Sequence, residues 1–463
     1  MLALLAGIAM IQEQMPSTQK TGLLADYEKL QYGMFIHYGM STFTQIEIPT
    51  KPGKLEDYHP AQIDVDQWIR TAKEAGMKYA VLTTKHCYGH CLWSSKATSF
   101  TVANNANKTD VVRLFVDACK RHGLKAGFYY LLGWDSMHQL KMRPEDYEQF
   151  CREQVTELLT DYGPILEMWF DISWDMGPDT QAVLHRMYDL VKSLQPSCLV
   201  MFSQSCNVMN GVSDPFALTN ATYFYKETGK KTRPWPSDIT NAERSAPPQG
   251  HNPKVTVEGQ SYYIPMEVCD TLPRNWFWVK NDGPRPLRQL VRLWHASVGH
   301  GANLLLDVPP DSAGRIPEAD VMQLAALREA VKKNWQPVDY AKGRPVKASN
   351  VYHGDLQYSP EKAVDGNDST RWATDESEKQ AWLEVDLGTA RRIGSAYVTE
   401  AYDRIRKFQI EVWINGTWKS IYEGGPVRDG VEATFKTVVT SRVRLHVTDS
   451  TGGPTVWSFE LGP

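Results

Sequence analysis

Tyr162-Gly-Pro-Ile-Leu-Glu-Met-Trp-Phe-Asp171 decides how this chain reads: a short apolar run leads without a break into a carboxylate, and the amphipathic stretch Pro144 to Tyr162 precedes it. Aspartate is seldom buried unless it is paired or functional, so an acid at the last residue of a buried parallel strand points to chemistry rather than packing. The same phrase recurs along the chain. Asp66 to Gly76 leads into Tyr79–Thr84, Thr109 to Gly123 into Leu124–Tyr130, and Asp179 to Gln195 into Cys198–Phe202. Gly33–Ile36 opens the series, and Ala302–Leu306 follows a helical stretch from Leu287 to Val298. Helices alternating with short apolar strands predict right-handed βα units, and six to eight such strands over about 310 residues is the size of a (β/α)8 barrel.

Barrel active sites lie at the carboxyl ends of the strands. The polar residues just past each apolar run are His37, Lys85 with His86, Tyr129 with Tyr130, Asp171, Gln204, Glu267 and Asp307. Carboxylates, imidazoles and aromatics in one ring suit glycoside hydrolysis, in which one acid attacks or stabilises the anomeric carbon and a second moves a proton. The plainer alternative for any one of them is a capped strand end. A different class of function rests on Lys85-His-Cys-Tyr-Gly-His-Cys91, where two imidazoles and two thiols bunch as zinc ligands do. Against zinc, there is no second cluster such as Cys-x-x-Cys, and adjacent strand residues such as His86 and Cys87 point to opposite faces.

From about residue 25 to 335 the motifs resemble glycoside hydrolase family 29, the α-L-fucosidases. Gly33-Met-Phe-Ile-His-Tyr-Gly through Glu47 is similar to the family's first-strand motif, which implies that His37 and Glu47 bind sugar hydroxyls; Ile48 stands where a Trp is usual. Lys85-His86-Cys87 through Trp93-Ser94 matches the Lys-His-His motif in part, with Cys87 in place of the second His. Trp169-Phe-Asp171 matches the nucleophile motif, so the resemblance makes Asp171 the nucleophile and Trp169 a pocket wall. Pro265 to Trp276 looks like the Glu-x-x-Asp segment that leads to an aromatic packed on the sugar, and Gly301–Pro310 like the closing strand, with Asp307 where Asn is usual. The reading implied is an exo-acting, retaining hydrolase of terminal α-L-fucose. His37, Glu47, His86 and Tyr130 contact the sugar, and Trp93, Trp169 and Trp276 shape apolar walls. The substrate is a fucosylated oligosaccharide or glycoconjugate, and catalysis needs no cofactor. An α-L-galactosidase and a sugar-binding barrel without catalysis are the alternatives.

The second carboxyl is less plainly marked. Ser203 to Ser261 reads as a long polar loop, which in a compact domain is functional or disordered. Candidates for the general acid/base are Asp214, Glu227 and Glu267, with Glu267 favoured because the apolar run Tyr262–Met266 would set it at a strand end. Retention requires the two carboxyls ~5–5.5 Å apart, whereas ~6.5–9.5 Å leaves room for an inverting water.

Three segments follow from this reading: 1–20, an N-terminal stretch; 21–335, the barrel; and 336–463, a second domain. In the last, alternating runs such as Trp382–Leu387, Phe408–Trp413 and Ser441–Val447 predict an all-β sandwich. Glu361 to Thr374 with Trp457–Leu461 resembles the discoidin or coagulation-factor type C module, also known as a family 32 carbohydrate-binding module. Relatives often hold a structural Ca²⁺ there, and Asp365, Asn367, Asp368 and Glu460 offer the hard oxygens it prefers; a metal-free Asp/Asn/Gly turn is the other reading. Net charge is −4 with mixed signs and no basic stripe, which argues against nucleic acid. Fifteen Trp and 21 Tyr suit sugar stacking, and all seven Cys lie in the barrel, an odd number that leaves a thiol free. The apolar start, Met1 to Ile11, is too short to span a bilayer and reads as the remnant of a secretory signal, which implies a periplasmic or exported protein.

Overall fold

The computed structural model describes residues 20–133, 135–138, 142–172, 180–203, 237–257, 260–367, 370–428 and 430–463. Two compact units emerge: residues up to Pro284 with Arg292–Glu329, and Arg285–Val291 with Ala330–Pro463.

The helix–Gly–strand phrase is realised with its caps. Asp64 accepts the N–H of Gln67 (3.0 Å) to start the helix Val65–Ala75, and Gly76 ends it in the left-handed region at φ 92°. Asp110 and Gly123 do the same for Val111–His122. A side-chain acceptor at the start satisfies a free helix N–H, and glycine carries the left-handed turn without a Cβ clash. Trp68, Ile69 and Ala72 on the first helix, and Val112, Phe115 and Cys119 on the second, are buried.

The first unit contains a ring of parallel strands: β1 (Tyr32–Ile36), β2 (Tyr79–Lys85), β3 (Lys125–Leu132), β4 (Glu167–Ile172), β5 (Leu199–Phe202), β6 (Thr240–Glu243), β9 (Met266–Thr271) and β10 (Asn303–Asp307). An antiparallel hairpin, β7 (Lys254–Val257) and β8 (Gln260–Tyr263), stands in the chain between β6 and β9 where a helix is the rule. The order is β5-β4-β3-β2-β1-β10-β9-β6. Asp238 brings the free edges together: its N–H donates to the Val200 carbonyl (2.8 Å), and its carboxylate accepts the Val200 N–H (2.9 Å).

Alternation sorts each strand into an inner and an outer row. Phe35, Tyr79, Val81, Tyr129, Leu131, Trp169, Leu199, Met201, Cys269 and Leu305 form one buried interior cluster. Gly33 and Gly127 belong to that row, and a Cβ on either would strike the Tyr79 ring (2.5 Å) or Glu167 Cγ (2.9 Å). Glycine there makes room for two large side chains in the barrel floor.

The second unit is antiparallel: β11 (Val346–Ala348), β12 (Trp372–Ala373), β13 (Ala381–Glu400), β14 (Ile405–Ile414), β15 (Thr417–Gly424), β16 (Val431–Ser450) and β17 (Thr455–Gly462), in the order β12-β17-β13-β16-β14-β15 with β11 on β13. The 20-residue strands β13 and β16 shift register between Asp386 and Arg391, and such bulges bend a strand. Leu383, Val385, Phe408, Ile410, Leu445 and Val456 pack its core. Among the described residues no helix is long and apolar enough to cross a membrane.

Candidate active site

At the carboxyl ends of the strands lies a cavity of about 70 Å³ lined by Phe35, His37, Glu47, His86, Tyr129, Trp169, Asp171, Glu243, Cys269 and Trp276. Asp171 falls two residues after Trp169 on β4 and therefore shares its inward face. Tyr129 donates its hydroxyl to Asp171 Oδ2 (2.7 Å), and Ser203, just past β5, donates to Oδ1 (2.8 Å). Two donors fix the carboxylate and leave it facing the cavity.

His86, Tyr129 and Trp169 form a stack, with ring centres 5.4 Å and 5.5 Å apart and planes 21° and 24° from parallel. His37 lies edge-on to Phe35 (4.5 Å) and beside Trp276 (5.2 Å). Its Nδ1 meets Asp307 Oδ1 at 2.8 Å, and its N–H reaches the same oxygen at 3.2 Å. Burial pushes His37 down to about 3 and drives Asp307 well above the usual carboxylate range. Burial also holds His86 well below its ordinary value, so both imidazoles are neutral at physiological pH. Glu47, raised by burial, enters from the loop that Gln45 ties to the Trp276 loop: Gln45 Nε2 donates to the Trp278 carbonyl (3.2 Å), and Oε1 accepts the Lys280 N–H (2.9 Å).

Glu243 ends β6 on the same cavity. Burial, reinforced by the Asp171 charge and opposed by Arg244, lifts its carboxyl to about 7. Of the three carboxyls on this cavity, two have sharply different surroundings: Asp171 is held by two hydroxyl donors, and Glu243 is short of solvation. Environments that separate two acids in this way give them different tasks. Glu243 was absent from the sequence candidates because Thr240-Asn-Ala-Glu243 is too polar to read as a buried strand. Its signal was Ile239 and Ala242 ahead of an acid that ends the run before Arg-Ser-Ala-Pro-Pro. The polarity is absorbed by β9, where Asn241 Nδ2 reaches Cys269 Sγ (3.1 Å).

His37, Glu47, His86, Trp169, Asp171 and Trp276 meet at this cavity, and four other expectations are corrected. Glu267 is the second residue of β9, at the floor of the barrel rather than its mouth: Oε2 accepts from Tyr27 (2.7 Å) and Tyr79 (2.8 Å), Oε1 from Trp169 Nε1 (3.1 Å), and the side chain is fully buried. Tyr130 points out of the barrel, where its hydroxyl donates to Gln154 (2.7 Å) and accepts from Lys85 (3.0 Å); the inward neighbour Tyr129 is the pocket residue. Trp93 is buried away from the cavity with Nε1 on Glu157 (2.9 Å). In the second unit, one of the residues named for Ca²⁺ is committed to an ion pair. Glu460 accepts from Arg288 (2.8 Å), while Asp365 takes the Asn367 N–H (2.9 Å) and the Thr370 hydroxyl (2.7 Å). Among the described residues no group of three or more His, Cys, Asp and Glu could hold a metal, at Lys85–Cys91 or elsewhere. Asp368, Gln204, Asp214, Glu227 and the N-terminal stretch up to residue 19 lie outside the described residues.

Comparison with known proteins finds the alpha-L-fucosidase family model over residues 53–336 and the F5/8 type C domain model over 345–461. Alpha-L-fucosidase 1 of Arabidopsis thaliana is 29% identical over 90% of this chain and 81% of its own length. A Bacteroides thetaiotaomicron structure provisionally designated an alpha-L-fucosidase is 26% identical, with a TM-score of 0.54 over 97% of this chain and 98% of that one. A fucosidase of Ruminococcus gnavus solved in complex with fucose is 20% identical and shares the fold, with a TM-score of 0.55 over 97% and 96%.

Proposed function

The chain belongs to the alpha-L-fucosidase family, a family of glycoside hydrolases, and from that premise we propose that it releases terminal α-L-fucose with retention, Asp171 acting as nucleophile and Glu243 as acid/base. The observation that carries this reading is the pair of unlike carboxyls on one cavity. Asp171 attacks the anomeric carbon as the bond to the leaving oxygen breaks, and the protonated Glu243 gives that oxygen its proton. Glu243, now a carboxylate, then takes a proton from the water that displaces Asp171 from the sugar. Tyr129 and Ser203 hold the attacking carboxylate in place. His37, His86 and Glu47 supply hydrogen bonds to ring hydroxyls, and Phe35, Trp169 and Trp276 offer an apolar wall for the methyl group of a 6-deoxy sugar.

Hydrolysis of an aryl α-L-fucoside by wild type, Asp171→Ala and Glu243→Ala tests this. Asp171→Ala should abolish release and recover it with added azide as the β-fucosyl azide, because the small anion attacks from the vacated side. Glu243→Ala should keep its first step with a good leaving group and yield the α-azide. Inverted products from wild type, or near-normal rates in either variant, would overturn the assignment.

A further inference from the structure

We propose that Arg244 is a positioning residue for this reaction: its guanidinium, laid over Trp276, holds that pocket wall and provides the counter-charge to the carboxyls gathered around the sugar. The inference rests on the reading of Glu243 as the acid/base. Arg244 follows Glu243 directly and extends the β6–β9 pairing by one residue, its N–H donating to the Cys269 carbonyl (2.9 Å). Its backbone then turns into the left-handed region at φ 47°, uncommon for a residue with a Cβ. That turn carries the side chain to the pocket rim, where the guanidinium stacks 5.0 Å from the Trp276 ring centre and Nη2 donates to the Arg274 carbonyl (2.9 Å). The Trp276 loop is also braced by Asp282, which accepts the N–H groups of Arg274 and Asn275 (3.1 Å each). Arg244 thus fastens a half-buried loop to the strand that bears Glu243.

The charge matters as much as the stack. None of the described residues lining the cavity is a lysine or arginine, while three are carboxylic acids and both imidazoles are neutral. The positive charge comes from just outside, and Arg244 acts on Glu47, Glu243, His37 and Asp307 together. The charges facing Glu243 are Asp171 from β4, Glu47 from the loop beyond β1, Asp270 from β9 and Arg244 beside it; the buried Cys269 thiol on β9 also faces it. The three acids favour keeping the proton on Glu243, and Arg244 opposes them.

The test is the pH–rate profile of wild type, Arg244→Gln, Arg244→Lys and Glu243→Gln on an aryl α-L-fucoside, with thermal midpoints as a check on folding. Arg244→Gln should move the alkaline limb upward by roughly half to one pH unit and raise KM severalfold as Trp276 loses its clamp. Arg244→Lys should return the limb towards the wild-type position while KM stays high, since an ammonium keeps the charge but not the flat stack. An Arg244→Gln limb that superimposes on wild type overturns the inference, including when kcat falls, because a purely structural role lowers rate without moving the limb. If Arg244→Gln does not fold, Arg244→Asn, which tolerates the left-handed backbone, takes its place. Should Glu243→Gln keep the wild-type limb, the acid/base assignment itself fails; loss of the limb in Glu243→Gln alongside an unmoved limb in Arg244→Gln removes only the role of Arg244.

Discussion

Glu267→Gln separates a floor carboxylate from a catalytic one. The wild-type side chain takes two hydroxyl donors on Oε2 and the Trp169 N–H on Oε1. A glutamine keeps one oxygen, which can serve both tyrosines, but turns its amide N–H₂ towards the indole N–H, so the indole loses its acceptor and the amide faces a second donor. That costs about 1–3 kcal/mol. Glu267→Ala orphans all three donors and opens a void, and should cost ~3 kcal/mol or more. Neither change removes a proton carrier from the cavity, since Glu267 lies below Trp169. Urea titrations should therefore show a lower midpoint for Gln and a much lower one for Ala. The kcat/KM of Glu267→Gln on an aryl fucoside should stay within about tenfold of wild type, as expected if ~1 kcal/mol of disturbance reaches Trp169. General acid catalysis is worth roughly 10²–10⁴-fold. A loss of that size with an unchanged urea midpoint would refute the floor assignment.

Three further outcomes follow from the same geometry. Wild-type hydrolysis should fall as pH rises through about 7, where Glu243 gives up its proton, and the kcat/KM profile between pH 5 and 9 checks this. Glu167 lies fully buried in the floor and is raised well above its ordinary 4.5 by burial first and by Glu267 second. The folded state therefore holds a proton that the unfolded chain releases, so stability should be full below pH 4.5 and decline as pH climbs towards the folded value; urea midpoints across pH should flatten in Glu167→Gln if this is right and keep the wild-type slope if it is wrong. In the second unit, Arg288 is buried between Glu460 (2.8 Å) and Glu432 (3.2 Å), and Arg288→Ala should destabilise that unit by about 3–5 kcal/mol in thermal or urea unfolding, whereas a loss under about 1 kcal/mol would show the pair to be dispensable.

The parts of the fold that were legible share a physical cause. Asp64 with Gly76, and Asp110 with Gly123, mark helix ends through local chemistry that needs no tertiary context, and the apolar run into Asp171 is buried whatever surrounds it. What escaped depended on partners distant in sequence. β6 is polar because Asn241 finds Cys269 across the sheet, so its burial leaves no local trace. Glu267 looked like a strand end because Tyr262–Met266 is apolar, yet Tyr262 and Tyr263 close a hairpin and the strand starts only after Pro265. Tyr129 and Tyr130 are adjacent and alike, and only the inward setting of Trp169 and Asp171 on the neighbouring strand tells them apart. The long polar stretch hid a strand and a hairpin, both too short and too mixed to show a period.

The two uncharged imidazoles have a consequence for inhibition. A neutral sugar meets them through the direction of hydrogen bonds alone, and His37 can offer either a proton or a lone pair at its far nitrogen, depending on which partner of the His37–Asp307 pair holds the shared hydrogen. A ring that carries its own positive charge meets something else, a shell of acids with no imidazolium to repel it. Basic iminosugars shaped like fucose should therefore outbind fucose itself, and their grip should tighten as Glu243 ionises, on the side of neutrality where turnover is fading.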